Sequence, residues 1–491
     1  MIRLAATLSL LASSAGAEVL FQDRSGGLPP HSYVGGWEHF VGGGVAVMDC
    51  NGDALPDLFA AGGTAPAQLM VNQGNFRFQR GALDKITGVT GAYPLDVDGD
   101  GALDLMVLRV GENLLLRGDG NCGFAPANAL WGFDGRDAWS TAFSATWVDD
   151  APLLAVGNYV DREDPEGPFG TCDTHVLHHW RKGRFEVQPL SPGYCTLSML
   201  FARDATGTRR LRISNDRHYY LKGGSEQMYD LDLNRFLTVE DGWANVSLWG
   251  MGIASRDLTG DGRAEVMLTS MGDQLLQIAE PDGGYAAAPY AMGTYAQRPH
   301  LGDDGRPSTG WHAEFGDLDN DGRADLFIAK GNVDQVPGLA MEDPNSLLMQ
   351  AADGTFAEAS IAAGVATTAR SRGAALADFD GDGRLDLVVM NRRAPMELYR
   401  NVSDTAGHWL QLDLAMSGTN SRAVGALVTV TSGDHAQVQE VTVGSGHAGG
   451  QAGPLHFGLG TAPEAEVLVR WPDDTETRAK VRADQRLTLR P

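Results

Sequence analysis

Positive charge is scarce in this sequence. Its 38 Lys and Arg face 63 Asp and Glu, for a net charge of −25. That balance excludes nucleic acid as a ligand, because phosphate binding needs a basic surface, and it argues against docking on anionic lipid. Beyond the N-terminus no apolar run approaches the roughly 20 residues of a membrane span, so none is expected. Cysteine is limited to Cys50, Cys122, Cys172 and Cys195, with no CxxC pair. Zinc knuckles and thioredoxin-like redox motifs are thereby removed. Four cysteines allow three pairings. Cys172 with Cys195 is favoured because both lie in one segment, and Cys50 with Cys122 then follows only by elimination. Convincing helical periodicity is almost absent. So are the GxSxG, HExxH, P-loop and Rossmann signatures, and no catalytic residue is assigned.

What the sequence does have is glycine, 63 residues of it, and 43% hydrophobic content. A packed core with many tight turns is expected. The first residues, "MIRLAATLSLLASSAGAEV", place Arg3 before an apolar run from Leu4 to Ala12 and the small residues Ala15-Gly16-Ala17. This is the pattern of an export signal over residues 1–17, cleaved after Ala17. The expected location is secreted, periplasmic or at the cell surface.

One pattern recurs: D-x-[DNT]-x-D-x-x-x-[DE], followed by an apolar strand. Copies start at Asp49, Asp96, Asp257, Asp317 and Asp378, separated by 47, 161, 60 and 61 residues. The gap of 161 is nearly three units. Two degenerate copies fill it, one at Asp149 with its loop shortened away and one at Asp204. Seven units of short strands result, and a fixed period of this size means a repeat architecture. The expected fold class is all-β: a seven-bladed β-propeller over residues 18–405, whose closure hides sheet edges. Several units carry a turn ending in Phe, as in "LMVNQGNFRFQ", "LLRGDGNCGF" and "LLMQAADGTF". These read as outer hairpins whose Phe packs between neighbouring blades. From residue 406 to 491 the acidic loops stop and period-2 alternation takes over, as in "ALVTVTSG" and "AEVLVRWPDD". A small C-terminal β-sandwich-like domain is expected there.

The loops carry the chemistry. Carboxylates at positions one, three, five and nine of a tight loop converge on one point. Hard oxygen donors in that number suit Ca²⁺. Four carboxylates within a few ångströms disfavour folding unless something neutralises them. The expected ligands are Asp96, Asp98, Asp100 and Asp104; Asp317, Asp319, Asp321 and Asp325; and Asp378, Asp380, Asp382 and Asp386. Two variant sets are Asp49, Asn51, Asp53 and Asp57, and Asp257, Thr259, Asp261 and Glu265. Up to about five Ca²⁺ ions follow from that count. The Asp149 and Asp204 copies are expected to hold none. In the latter Arg212 stands at position nine, where its guanidinium replaces the cation.

These loops resemble FG-GAP/VCBS repeats, the calcium-loop blades also found in integrin α-chain propellers. The stretches "HWLQLDL", "SGTNSRAVGALVTV", "QEVTVGSG", "LHFGLG" and "VLVRWPDD" resemble the ASPIC/UnbV domain. The pairing is similar to the cartilage acidic protein family and its bacterial relatives. Departures are the two degenerate loops and Asp474, where a Gly is usual. The resemblance implies a secreted calcium-binding propeller for recognition or adhesion, with an extracellular protein or glycan as partner. The alternative is an exported propeller enzyme, polysaccharide-processing or oxidoreductase, with structural calcium. Candidate residues for chemistry are His175, His178 and His179, and the pair His312 and Glu314 expected to face the central channel, while Trp249 is a candidate to line a binding surface. Packing is the default reading for the histidine group and for Trp249. The sequons at Asn245 and Asn401 matter only in a glycosylating host.

Overall fold

The computed structural model describes residues 19–164, 171–216, 224–295, 306–334, 336–404 and 407–491. The export signal read over residues 1–17 lies outside them. Each repeat unit is a four-stranded antiparallel sheet. The acidic loop joins its first and second strands, and the position-nine acid opens the second strand. Thus Met48 pairs with Asp57, Leu95 with Asp104, Arg256 with Glu265, Gly316 with Asp325 and Ala377 with Asp386. The second strands are apolar and buried on both faces, as in Asp386–Asn391. A continuous apolar run of this length fits a strand packed between two sheets.

The innermost strands, in blade order, are Val45–Met48, Val89–Leu95, Asp137–Val148, Thr196–Arg203, Gly250–Arg256, Gly310–Gly316 and Ser371–Ala377. Each packs beside the next, and the last packs beside the first. The described strands therefore form seven sheets in a ring. In the seventh, the fourth strand comes from the other end of the chain: Phe21–Asp23 pairs with Glu397–Asn401. The ring is closed by strand pairing, which removes a free edge.

Apolar clusters fill the spaces between blades. Phe78 of the first blade meets Phe379 of the seventh edge to face at 5.9 Å. Phe356 packs into a cluster shared by the fifth and sixth. The outer-hairpin phenylalanines thus do sit between blades. Both disulfides cross blades as well: Cys50 is bonded to Cys122 and Cys172 to Cys195. Among the described residues no helix is long and apolar enough to cross a membrane. Asn401 of the second sequon is fully buried and donates to Leu318 O and Leu385 O, so it is closed to modification in the folded chain.

After Asn401 two further sheets face each other. One holds His408–Leu414, Leu455–Gly460 and Gln485–Leu489; the other holds Leu427–Ser432, His435–Glu440, Glu464–Arg470 and Glu476–Arg482. Leu410, Val428, Phe457, Val467 and Trp471 lie between them, the packing of a β-sandwich. Asp474 has φ of 64°, the left-handed conformation that explains why glycine suits this turn.

The glycine-rich segment 443–452 leaves this sandwich and enters the propeller channel. It bridges to inner strands in turn: Val443 to Ala145, Gly444 to Leu200, Gly446 to Ile253 and Gly449 to Ala92. Gln451 and Ala452 then pair in parallel with Val47 and Met48. The approach is close enough that a Cβ on Gly91 would stand 1.9 Å from Ala448 O. His447 is fully buried. Its Nε2 accepts the Gly42 N–H and its Nδ1–H donates to Met251 O.

Candidate metal centres

The local geometry of the acidic loops repeats from blade to blade. The position-one carboxylate accepts backbone N–H groups from its own loop. Asp96 takes Gly99 and Gly101, Asp257 takes Gly260 and Gly262, and Asp378 takes Gly381, Asp382 and Gly383. Asp49 and Asp317 do the same. The position-nine carboxylate is wedged between strands. Asp386 accepts Phe379 N–H and Asn401 N–H, both at 2.8 Å. Asp57, Asp104 and Asp325 hold matching pairs of amides. The acids at one and nine thus serve the loop's own backbone, and in the fifth blade Glu265 takes the position-nine role by accepting the Leu258 N–H.

In the three complete loops, positions one, three and nine come together. Carboxylate oxygens of Asp96, Asp98 and Asp104 lie within 4.8 Å of one another, as do those of Asp317, Asp319 and Asp325, and of Asp378, Asp380 and Asp386. Position five is turned outward, toward arginine. Asp100 meets Arg117, Asp321 meets Arg323, and Asp382 meets Arg384 and Arg400. Arg117 also reaches Asp98 and Arg400 reaches Asp380. The cations sit on the solvent side of each loop. On the inner side Asp319 Oδ1 and Asp380 Oδ1 are buried with no hydrogen-bond partner.

The two variant loops differ in position three. In the first blade Asn51 turns its amide toward Asp53 Oδ2, at 2.9 Å. In the fifth, Glu265 is wholly buried, Oε2 accepts Leu258 N–H, and Oε1 has no partner. Asp261 there pairs with Arg263.

Burial dominates the acidity of these groups. It raises Asp104 to about 7, Glu265 to about 7, Asp319 to about 6 and Asp57 to about 6. Neighbouring carboxylates push the same way, and donated backbone amides offset part of the rise. Asp317, Asp325 and Asp386 also lie well above the usual carboxylate range, for the same leading reason. A multivalent cation would reverse this, by favouring the charged form. Oxygen donors alone, three carboxylates converging and inner oxygens without partners fit a hard divalent ion. A fourth group, Cys50, Asp57 and Cys122, does not fit a metal, since its cysteines are joined as a disulfide.

The degenerate copies are resolved differently. At Asp149 and Asp150, φ values of 51° and 57° make a two-residue hairpin turn between Val148 and Ala151. At Asp204 a guanidinium does meet the carboxylate, but it belongs to Arg210, which also holds Asp230 at 2.8 Å. Arg212, the residue expected there, points elsewhere. It donates to Gln277 Oε1 and stacks on Tyr285 and Trp243. Register explains the difference: the loop is shorter, Arg203 pairs with Arg209, and so Arg210 lies beside the turn while Arg212, on the same face, lies one pleat farther along.

The other candidate residues are accounted for by packing. His175 is buried, bonded to Thr196 Oγ1 and the Asn158 amide, and burial lowers it to about 3. His178 lies against Phe133 at 4.5 Å, and His179 against Gln188. Trp249 is half-buried at the entry to the fifth blade. His312 and Glu314 are paired at 3.2 Å and do reach the channel, where His312 Nδ1 accepts the His447 N–H. Two features went unread in the sequence. One is the channel segment, whose only signal is its glycine density. The other is Asn320, at loop position four with φ of 56°, where the four sister loops have Gly52, Gly99, Gly260 and Gly381.

Comparison with known proteins agrees with this layout. The FG-GAP-like repeat model matches residues 49–107, 257–328 and 331–389, and the ASPIC and UnbV model matches 416–491. The first leaves out the blades with degenerate loops. Cartilage acidic protein 1 of Mus musculus is 30% identical over 122 residues, 24% of this chain and 18% of that protein. The Homo sapiens protein is 33% identical over 110 residues, 21% of this chain and 16% of that protein. The chain thus matches less than a fifth of the length of these curated relatives. Among solved structures, BBS1N in complex with ARL6DN gives a TM-score of 0.46 at 9% identity, covering 78% of this chain and 97% of that one. The β-propeller domain of Myceliophteria thermophila Cps50 (Swd1) gives 0.43 at 10%, covering 74% and 97%. Such low scores add nothing to the strand pairing above. The chain thus carries FG-GAP-like repeats and a C-terminal ASPIC and UnbV domain.

Proposed function

We propose that this is an exported, calcium-binding propeller that serves as a recognition or adhesion module for an extracellular protein or glycan. The observation that carries it is the convergence of positions one, three and nine in three loops, with an inner oxygen left without a partner in two of them, at Asp319 and Asp380. Asp96, Asp98 and Asp104, with their counterparts in the sixth and seventh blades, would hold the ion. Asp57 and Glu265, with Asp49 and Asp257, would serve the variant loops. Bound calcium supplies charge neutralisation. The chain's own part is to fix the carboxylates through backbone amides and to keep the competing arginines on the outer side. The histidines an enzyme reading would use are packed in the core or engaged with the channel segment, which favours a binder. Calorimetric titration of chelator-treated protein should show up to five calcium sites, and no binding would overturn the reading. A glycan and polypeptide array, with turnover assayed on each hit, separates the recognition module from an enzyme.

A further inference from the structure

All the acidic loops leave the outer end of an inner strand, so they crowd one face of the ring. The C-terminal sandwich sits on that face and touches the loops themselves. Its contacts fall on the position-one acids of the three complete loops. The Ser421 hydroxyl donates to Asp96 Oδ2, and Gln411 Nε2 donates to Asp378 Oδ2 at 2.9 Å. The Gly458 backbone presses on Asp317, where a Cβ would stand 2.0 Å from Oδ2.

Further contacts lie on the same loops. His435 Nε2 donates to Gly322 O at 2.7 Å, and Arg486 donates to Ala54 O at 3.1 Å. Asn320 joins three parts at once. Its Oδ1 accepts from His456 Nε2 at 2.8 Å, its carbonyl accepts Gly460 N–H, and its Nδ2 donates to Gly383 O of the next loop. These contacts form one arc over the sixth, seventh, first and second blades. Over the third and fourth blades, where the metal loop is lost, the sandwich holds the hairpin turn at Asp150, the Arg203 backbone N–H and the Arg209 side chain instead.

We propose that calcium in the acidic loops controls whether the C-terminal domain is seated on the propeller, so that the domain and its channel segment report the metal state. The proposal rests on the calcium reading above. Without a cation, converged carboxylates repel and the loops lose the shape that Ser421, Gln411, Gly458 and Asn320 recognise. The domain then lifts along the metal-dependent arc and stays hinged over the third and fourth blades. Because the segment 443–452 is carried by the domain, the channel loosens with it. Coupling of this kind is reciprocal, so seating the domain also tightens calcium.

Hydrogen–deuterium exchange on the full chain tests this, in calcium and in EDTA, beside calorimetric calcium titration. The expected result is several-fold faster exchange at Gly444–Ala452 in EDTA, with Leu427–Ser432 of the sandwich still protected. Asn320→Gly installs the residue of the sister loops and touches no ligand carboxylate. It should bind calcium yet exchange quickly at Gly444–Ala452 with calcium present. Equal protection in calcium and EDTA, with calcium shown to bind, overturns the proposal and leaves the calcium reading standing. Absence of calcium binding overturns both. Wild-type protection in Asn320→Gly removes the assigned role of that residue in seating the domain.

Discussion

At the scale of single residues, the four acids of a loop are not equivalent. Asp386 accepts two buried backbone N–H groups, whereas Asp382 faces Arg384 and Arg400, which are 29% and 30% exposed. Asp386→Ala leaves both amides unpaired and should cost about 2–5 kcal/mol even in EDTA. Asp382→Ala removes part-exposed ion pairs and one backbone bond, from the Arg384 N–H, and should cost about 1 kcal/mol there. Urea unfolding of both variants measures the difference. A second expectation concerns pH. Asp104 and Glu265 are raised to about 7 and Asp57 to about 6 without metal. An acid raised on folding stabilises fully below its unfolded value and loses that stability as pH rises through its folded value. The EDTA-treated protein should therefore melt at lower temperature at pH 8 than at pH 5. Calcium needs the ionised carboxylates, so its stabilising increment should grow over the same interval. Scanning fluorimetry across pH, with and without calcium, shows both trends.

At the scale of elements, the repeat was legible because its signal is chemical and local. Acids at fixed spacing before an apolar strand mark a loop wherever they occur, and the complete loops all fall where that pattern places them. What the sequence concealed was pairing between distant parts. Phe21–Asp23 is three residues of ordinary composition, and nothing local says that it completes the seventh blade. The identity of the guanidinium at Asp204 depended on a strand register, which a shortened loop shifts. Asn320 stands where the sister loops have glycine, yet its side chain ties two loops to the sandwich. The closing strand yields a prediction. A chain that begins at Ser25 should melt several degrees below one that begins at Glu18, because the Glu397–Asn401 edge is then bare. Equal melting of the two truncations would show that strand pairing does not secure the ring.

At the scale of the molecule, the chain is a ring closed by its own N-terminus, crossed by two disulfides and plugged by its own C-terminal domain. Loop closure makes the Cys50–Cys122 bond, spanning 72 residues, worth roughly 4 kcal/mol on an entropic account. Neither disulfide relieves the charge gathered in the acidic loops, however. A ligand present at 100 times its dissociation constant adds about 2.7 kcal/mol per site. Several sites together would outweigh any single contact described above. The most direct test is thermal unfolding of the full chain with millimolar calcium and again with EDTA, at neutral pH. A melting temperature many degrees higher in calcium is the predicted result; coincident melts would contradict calcium as the ion that holds these loops.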